Sequence, residues 1–169
     1  MNLIGARRAA TAPATDPNLY SHNDGHLRPS LSYAFAGVPD ELALSPDVRF
    51  RVVVDGQPRH LSTAAQDEVY RIGLEAIVNA YRHSRAAEIE MQIQYRSSEL
   101  RLSVRDNGRG INPGELRWGR KGHSGLQGMR ERAERIGARL RLLSKVAFGT
   151  EVELCVPGVM AFEPSRLAA

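Results

Sequence analysis

The chain has 169 residues, with 23 Lys and Arg against 19 Asp and Glu, for a formal net charge of +4. That length suits one domain able to bury roughly two-thirds of its unfolded surface without disulfide or metal staples. The single Cys155 cannot close an internal bridge, and no apolar run reaches the ~20 residues needed to cross a bilayer, which predicts a reduced, cytoplasmic setting. Arg7 and Arg8 have no hydrophobic segment behind them, so no signal peptide is read. The charge is mostly Arg interleaved with Glu, as in MRERAERIGARLRL, the pattern of a solvated helix face. Without an aromatic-studded basic stripe it predicts no nucleic-acid partner, although a polyanionic small ligand would be favoured.

Residues 1–30 are rich in Ala, Thr, Pro, Asn, Asp and Gly with no apolar period, and read as a flexible tail or a remnant of something upstream. The folded domain is expected over 31–160, opening with a short helical lead-in between Leu31 and Leu44, and 161–169 are expected to be a second tail. Val48 to Asp55 reads as a strand and GQPRH as a turn. From Thr63 to His83, Tyr70, Leu74, Ile77 and Tyr81 recur at helical spacing, with Ser62 or Thr63 as the cap. IEMQIQY and LRLSV alternate as two strands joined by RSSE. A helix follows from Ser124 to Ile136 with Gly137 as its stop, and then RLRLLS and TEVELCV flank the turn KVAFG. One-sided strands linked by hairpins, with helices between, predict an α+β fold: a two-layer sandwich of a mainly antiparallel sheet with helices on one face.

Three stretches carry chemistry. In VRDNGRG a strand ends on Asp106, and Gly108 and Gly110 strip side-chain bulk so that a flat ligand could lie against the backbone, although the same heptapeptide also reads as an Asp-Asn-Gly turn. On the preceding helix Glu75, Asn79 and His83 are four apart and form one row, with Arg82 nearby; a plain surface helix would tolerate the same row. In GRKGHSGLQGMRER a Gly-rich cationic loop runs into a helix start, where backbone N–H groups together with Arg120, Lys121 and His123 would suit phosphate. A mobile surface loop is the alternative there. Neither a Walker loop nor a dinucleotide fingerprint is complete: Arg120-Lys121 stands where Lys is followed by Ser or Thr, and Pro113 stands where the third Gly belongs. The protein-kinase catalytic loop is also absent. His22 and His26 sit in a loop-like stretch with no Cys cluster to complete a metal site, and His60 is expected to be exposed.

In order and content these pieces resemble the ATP-binding domain shared by sensor histidine kinases, gyrase, Hsp90 and MutL, the GHKL group. EAIVNAYRHS is similar to its N box, DNGRGI to its first glycine box, GHSGLQGM to its second and GTEVEL to its closing strand, over about Val48 to Pro157. YRIGLEAIVNAYRHS and GLQGMRERAERIGA look most like the histidine kinases paired with LuxR-type response regulators.

The resemblance implies ATP and Mg²⁺ as ligands. Asp106 would accept from the adenine amine, where guanine presents an opposing oxygen; Gly108, Gly110 and Ile111 would line the same end, and Thr150 would touch it. Asn79 would offer its side-chain oxygen to Mg²⁺. Arg82, His83 and Lys121 would lie toward the triphosphate, and Gly122, Gly125, Leu126 and Gly128 would belong to a lid folding over it. Glu75 would be the catalytic base, accepting a proton from the attacking nucleophile.

A kinase of this kind normally carries a dimerising helix pair whose histidine is phosphorylated, and no Arg-Glu-Leu-His-Asp type sequence occurs here. The expectation is therefore transfer of the γ-phosphoryl group to a histidine in trans or in a lost upstream segment, with a response regulator as an indirect partner and no self-labelling. Two alternatives stand beside it: a GHKL ATPase in which Glu75 activates water, and a non-catalytic, anti-sigma-like ATP-binding module.

Overall fold

The computed structural model describes residues 20–23, 26–112 and 124–164. The chain opens with strands β1 (Tyr20–Asn23) and β2 (His26–Pro29), paired antiparallel with Tyr20 opposite Pro29. This hairpin lies within the stretch read as a tail. Its signal is the turn-forming Asn23-Asp24-Gly25, and strands of four residues are too short for alternation to register. Residues 1–19 lie outside the described residues.

Helix α1 (Leu31–Glu41) is capped by Ser30, whose Oγ accepts from the Tyr33 N–H. Strand β3 (Arg49–Asp55) leads to helix α2 (Thr63–His83), capped by Ser62 and bounded where the sequence predicts. Strands β4 (Glu88–Tyr95) and β5 (Glu99–Asp106) follow, then helix α3 (Ser124–Arg135), strands β6 (Arg139–Lys145) and β7 (Gly149–Pro157), and the short helix α4 (Gly158–Ala161). The five long strands form one sheet in the order β3-β4-β5-β7-β6, parallel between β3 and β4 and antiparallel elsewhere.

Alternation decides which sheet face is covered. Ile89, Met91, Ile93 and Tyr95 of β4, Leu100, Leu102 and Val104 of β5, and Val152, Leu154 and Val156 of β7 join Phe35, Val38, Ile72, Ile77, Met129, Ala133 and Ala161 in one buried cluster. All four helices contribute to that cluster, so the layering is the expected α+β sandwich. The other face carries Arg and Glu: Arg51 pairs with Glu88 and Glu90, and Arg101 and Arg141 flank Glu153.

The packing face of α2 is built largely from small residues, and the core extends past the expected end of the domain. On α2 the buried stripe is Ala65, Val69, Ile72, Gly73, Ala76, Ile77 and Ala80, while Tyr70, Leu74 and Tyr81 are only partly buried. The small residues let the helix lie close to its neighbours, for a Cβ on Gly73 would sit 2.5 Å from Cζ of Phe35. Beyond residue 160 the chain is still core: Ala161 and Phe162 are buried, Phe162 bridges to Leu61, and Arg59 stacks 3.7 Å above the Phe162 ring. Among the described residues no helix is long and apolar enough to cross a membrane.

Candidate nucleotide site

Asp106 and Ser84 are the buried polar side chains among the described residues, at 4 % and 6 % exposure. Both belong to one construction. Asp106 ends β5 on the core-facing side, and strand register places it opposite Thr150 of β7, which in turn lies opposite Ser144 of β6. Three polar residues thus form a row across β5, β7 and β6 at one end of the sheet, beyond the apolar rows of Val104, Val152 and Leu142. Burial pushes the Asp106 carboxyl above its ordinary range, and the backbone N–H groups of Gly108 and Thr150 pull it partly back. The Gly108 N–H reaches Asp106 Oδ1 at 2.9 Å.

The loop after Asp106 is stitched on both sides. Toward α2, the Arg109 N–H donates to the Ser84 carbonyl (2.8 Å) and Arg109 Nε to the His83 carbonyl (2.9 Å), while Asn107 Oδ1 accepts from the N–H groups of Ala87 and Glu88. Ser84 itself is tied by its Oγ to the Ala80 carbonyl and the Ala86 N–H. Toward the β6–β7 turn, the Ala147 N–H donates to the Arg109 carbonyl (2.8 Å) and the Ile111 N–H to Ser144 Oγ (2.8 Å). Glycine is required where these walls meet. A Cβ on Gly108 would lie 2.2 Å from the Ser84 carbonyl oxygen, and one on Gly149, at φ +93°, would lie 1.9 Å from that of Asp106. Gly110, at φ +69°, faces the Lys145 carbonyl in the same way.

The second group sits on α2. Asn79 Nδ2 donates to Glu75 Oε1 at 3.2 Å, an i,i+4 pair, and both side chains are half-buried. Gly125, in the first turn of α3, packs so closely on them that an added Cβ would stand 2.1 Å from Glu75 Oε1 and 3.3 Å from Asn79 Nδ2. Arg132 and Arg135 hold α3 to α2 through Glu68, at 3.3 and 2.9 Å. Among the described residues no group of three or more His, Cys, Asp or Glu is placed to hold a metal.

The structure therefore brings the predicted residues into two groups. Asp106, Gly108, Gly110, Ile111 and Thr150 form one, and Glu75, Asn79 and Gly125 the other. Arg82 and His83 are exposed at the end of α2, and the His83 carbonyl links that end to the loop. Leu126 packs partly buried on the core, and Gly128 has open space where its Cβ would be, so no described neighbour demands glycine there. Lys121 and Gly122, with Arg120 and His123, lie outside the described residues. Ser84, Asn107, Arg109 and Ser144 were missed as site-building residues. Three of them stand inside the quoted boxes, but their partners depend on which elements become neighbours. A groove of about 790 Å³ between α1 and α2, lined by Leu31, Ala34, Gly37 and Tyr70 among others, contains none of the site residues.

Comparison with known proteins identifies the family and the fold. Residues 64–159 match the family of histidine kinase-, DNA gyrase B-, and HSP90-like ATPases. The sensor histidine kinase LiaS of Bacillus subtilis is 35% identical over 103 residues, 61% of this chain and 28% of LiaS. The sensor protein VraS of Staphylococcus saprophyticus is 33% identical over 139 residues, 78% of this chain and 38% of VraS. The chain thus spans well under half the length of these relatives. Among solved structures, the blue-light activated histidine kinase of Erythrobacter litoralis superposes with a TM-score of 0.65 at 20% identity, over 76% of this chain and 42% of that one. A mycobacterial sensor histidine kinase, MprB, gives 0.56 over 79% of this chain and 93% of that one, also at 20% identity.

Proposed function

Because this chain belongs to the family of histidine kinase-, DNA gyrase B- and HSP90-like ATPases, we propose that it is the ATP-binding catalytic domain of a two-component sensor histidine kinase. It passes the γ-phosphoryl group to a histidine on a dimerisation domain, supplied in trans or by a longer chain, from which a response regulator takes it. We place the domain over residues 31–163 and on the cytoplasmic side. The observation that carries the reading is Asp106: a buried carboxyl kept at the end of a strand by two backbone N–H groups, with Gly108 and Gly149 close beside it.

Each residue then has a role that its surroundings support. Asp106 accepts from the exocyclic amine of adenine, and the closely stitched backbone of Gly108 to Ile111 forms the wall along the base. Asn79 fits a magnesium ligand, because its amide nitrogen is engaged by Glu75 and its oxygen is left as the acceptor. Bound Mg²⁺ would supply neutralisation of phosphate charge. Glu75 accepts the proton that the imidazole loses as its nitrogen bonds to the γ-phosphorus and the bond to the β,γ-bridging oxygen breaks, releasing ADP. Arg82, His83 and Gly125 serve the triphosphate end, and Lys121 and Gly122, outside the described residues, are assigned to it from the sequence alone.

Incubation with γ-labelled ATP, magnesium and a separately purified dimerisation domain from a LiaS- or VraS-like kinase tests this. Label on the dimerisation histidine and none on this chain is expected. Acid-labile label on this chain, or phosphate release with no transfer to the supplied domain, would overturn the assignment.

A further inference from the structure

We propose that Ser144 is a specificity-determining positioning residue, which fixes the hydroxyl of Thr150 as a hydrogen-bond acceptor toward the purine and so sharpens selection for an amino over an oxo base. The inference rests on the nucleotide-site reading above and adds to it a residue that does not touch the ligand.

Ser144 Oγ has three partners: the Ile111 N–H at 2.8 Å, Thr150 Oγ1 at 2.9 Å and the Gly149 carbonyl oxygen at 3.2 Å. A hydroxyl has one proton to donate and two lone pairs to accept with. Ile111 can only donate, so it takes one lone pair. The Gly149 carbonyl can only accept, so it takes the Ser144 proton. Thr150 must then donate to the remaining lone pair. If Ser144 instead gave its proton to Thr150, its oxygen would face the Gly149 carbonyl with no hydrogen between them.

With its proton engaged by Ser144, Thr150 has only lone pairs left to present. It stands directly across the strand pair from Asp106, on the same sheet face. This end of the sheet therefore offers two acceptors in one row, the Asp106 carboxylate and the Thr150 hydroxyl. An exocyclic amine with two N–H groups suits that pair, whereas a purine carrying an oxygen there meets acceptors on both sides. Without Ser144 the Thr150 hydroxyl could turn and donate to such an oxygen.

The test is the ratio of ATP to GTP affinity, measured by calorimetry on the whole chain with magnesium. Ser144→Ala should reduce the ATP preference about three- to tenfold, mainly through tighter GTP binding, as expected for one neutral hydrogen bond. Ser144→Thr should restore the preference, and in a Thr150→Val background Ser144→Ala should leave the ratio unchanged. A purely structural Ser144 would weaken both nucleotides together and keep the ratio, and that result would overturn the proposal. If Ser144→Ala does not fold, Thr150→Val alone decides: an unaltered ATP preference in that variant contradicts an acceptor role for the hydroxyl. Absence of ATP binding to the unaltered chain would instead defeat the nucleotide-site reading on which this rests, whereas ATP binding with an unchanged Ser144→Ala ratio defeats only the inference.

Discussion

Asp106 and Glu75 are the two carboxylates around which the proposed site is organised, and they are held in different ways. Asp106 is fixed by the sheet: its register neighbours are Ile89 of β4 and Thr150 of β7, its carboxyl is met by backbone N–H groups, and glycines at 108 and 149 allow contacts no side chain would permit. Glu75 is held by one helix and one side chain, Asn79, with the open face of Gly125 against its tip. A ring to be recognised needs acceptors at fixed positions, and register supplies them. The role proposed for Glu75, exchanging protons while phosphate moves, suits a side chain with freedom at its end.

This contrast can be broken at several points. The largest effect is expected from Gly149→Ala, which combines backbone strain with a contact to the Asp106 carbonyl that cannot relax; a loss of about 3 kcal/mol or more should appear in urea unfolding. Gly125→Ala should behave oppositely, since the clash falls on the movable end of Glu75. Stability and ATP affinity should be largely kept, while transfer to a supplied histidine falls by up to about a hundredfold in a single-turnover assay.

Asp106→Asn comes next. The new amide oxygen can still accept from Gly108 and Thr150, but a donor now faces the base, so ATP affinity should fall about ten- to a hundredfold by calorimetry with the fold intact. The same residue predicts a pH trend. Its folded pKa lies above the ordinary 3.8, so the unliganded protein holds this proton more tightly than the unfolded chain does. The stability this contributes is complete below the unfolded value and is lost as pH rises through the raised folded value; Asp106→Asn should remove that component from the stability profile. The smallest effect belongs to the outer sheet face: Arg51→Ala, which breaks exposed pairs with Glu88 and Glu90, should cost under about 1 kcal/mol in the same unfolding assay and leave nucleotide binding untouched.

Much of this was legible in the chain. The bounds of α2, the end of β5 on Asp106 and the alternation of β4, β5 and β7 follow from periodicity and turn residues, and the quoted boxes named most of the described site residues. What escaped has a common cause. On α2 the large residues Tyr70, Leu74 and Tyr81 drew attention away from Gly73, Ala76 and Ala80, whose small size is what allows close approach. Ser144 and Ser84 matter through partners that are distant in sequence or set by backbone geometry, and a hydroxyl reveals no partner until register is known. Phe162 looked like part of a tail because a single aromatic residue has no period to read. Lys121 and Gly122, expected at the phosphate end, fall outside the described residues.

The most direct test of the whole account is titration calorimetry of the purified chain with ATP and with GTP, each in the presence of magnesium. The account predicts saturable heat with ATP and affinity at least about tenfold weaker for GTP, the margin that one charge-assisted hydrogen bond provides. No heat with ATP from a folded sample, or equal affinity for the two nucleotides, would contradict it.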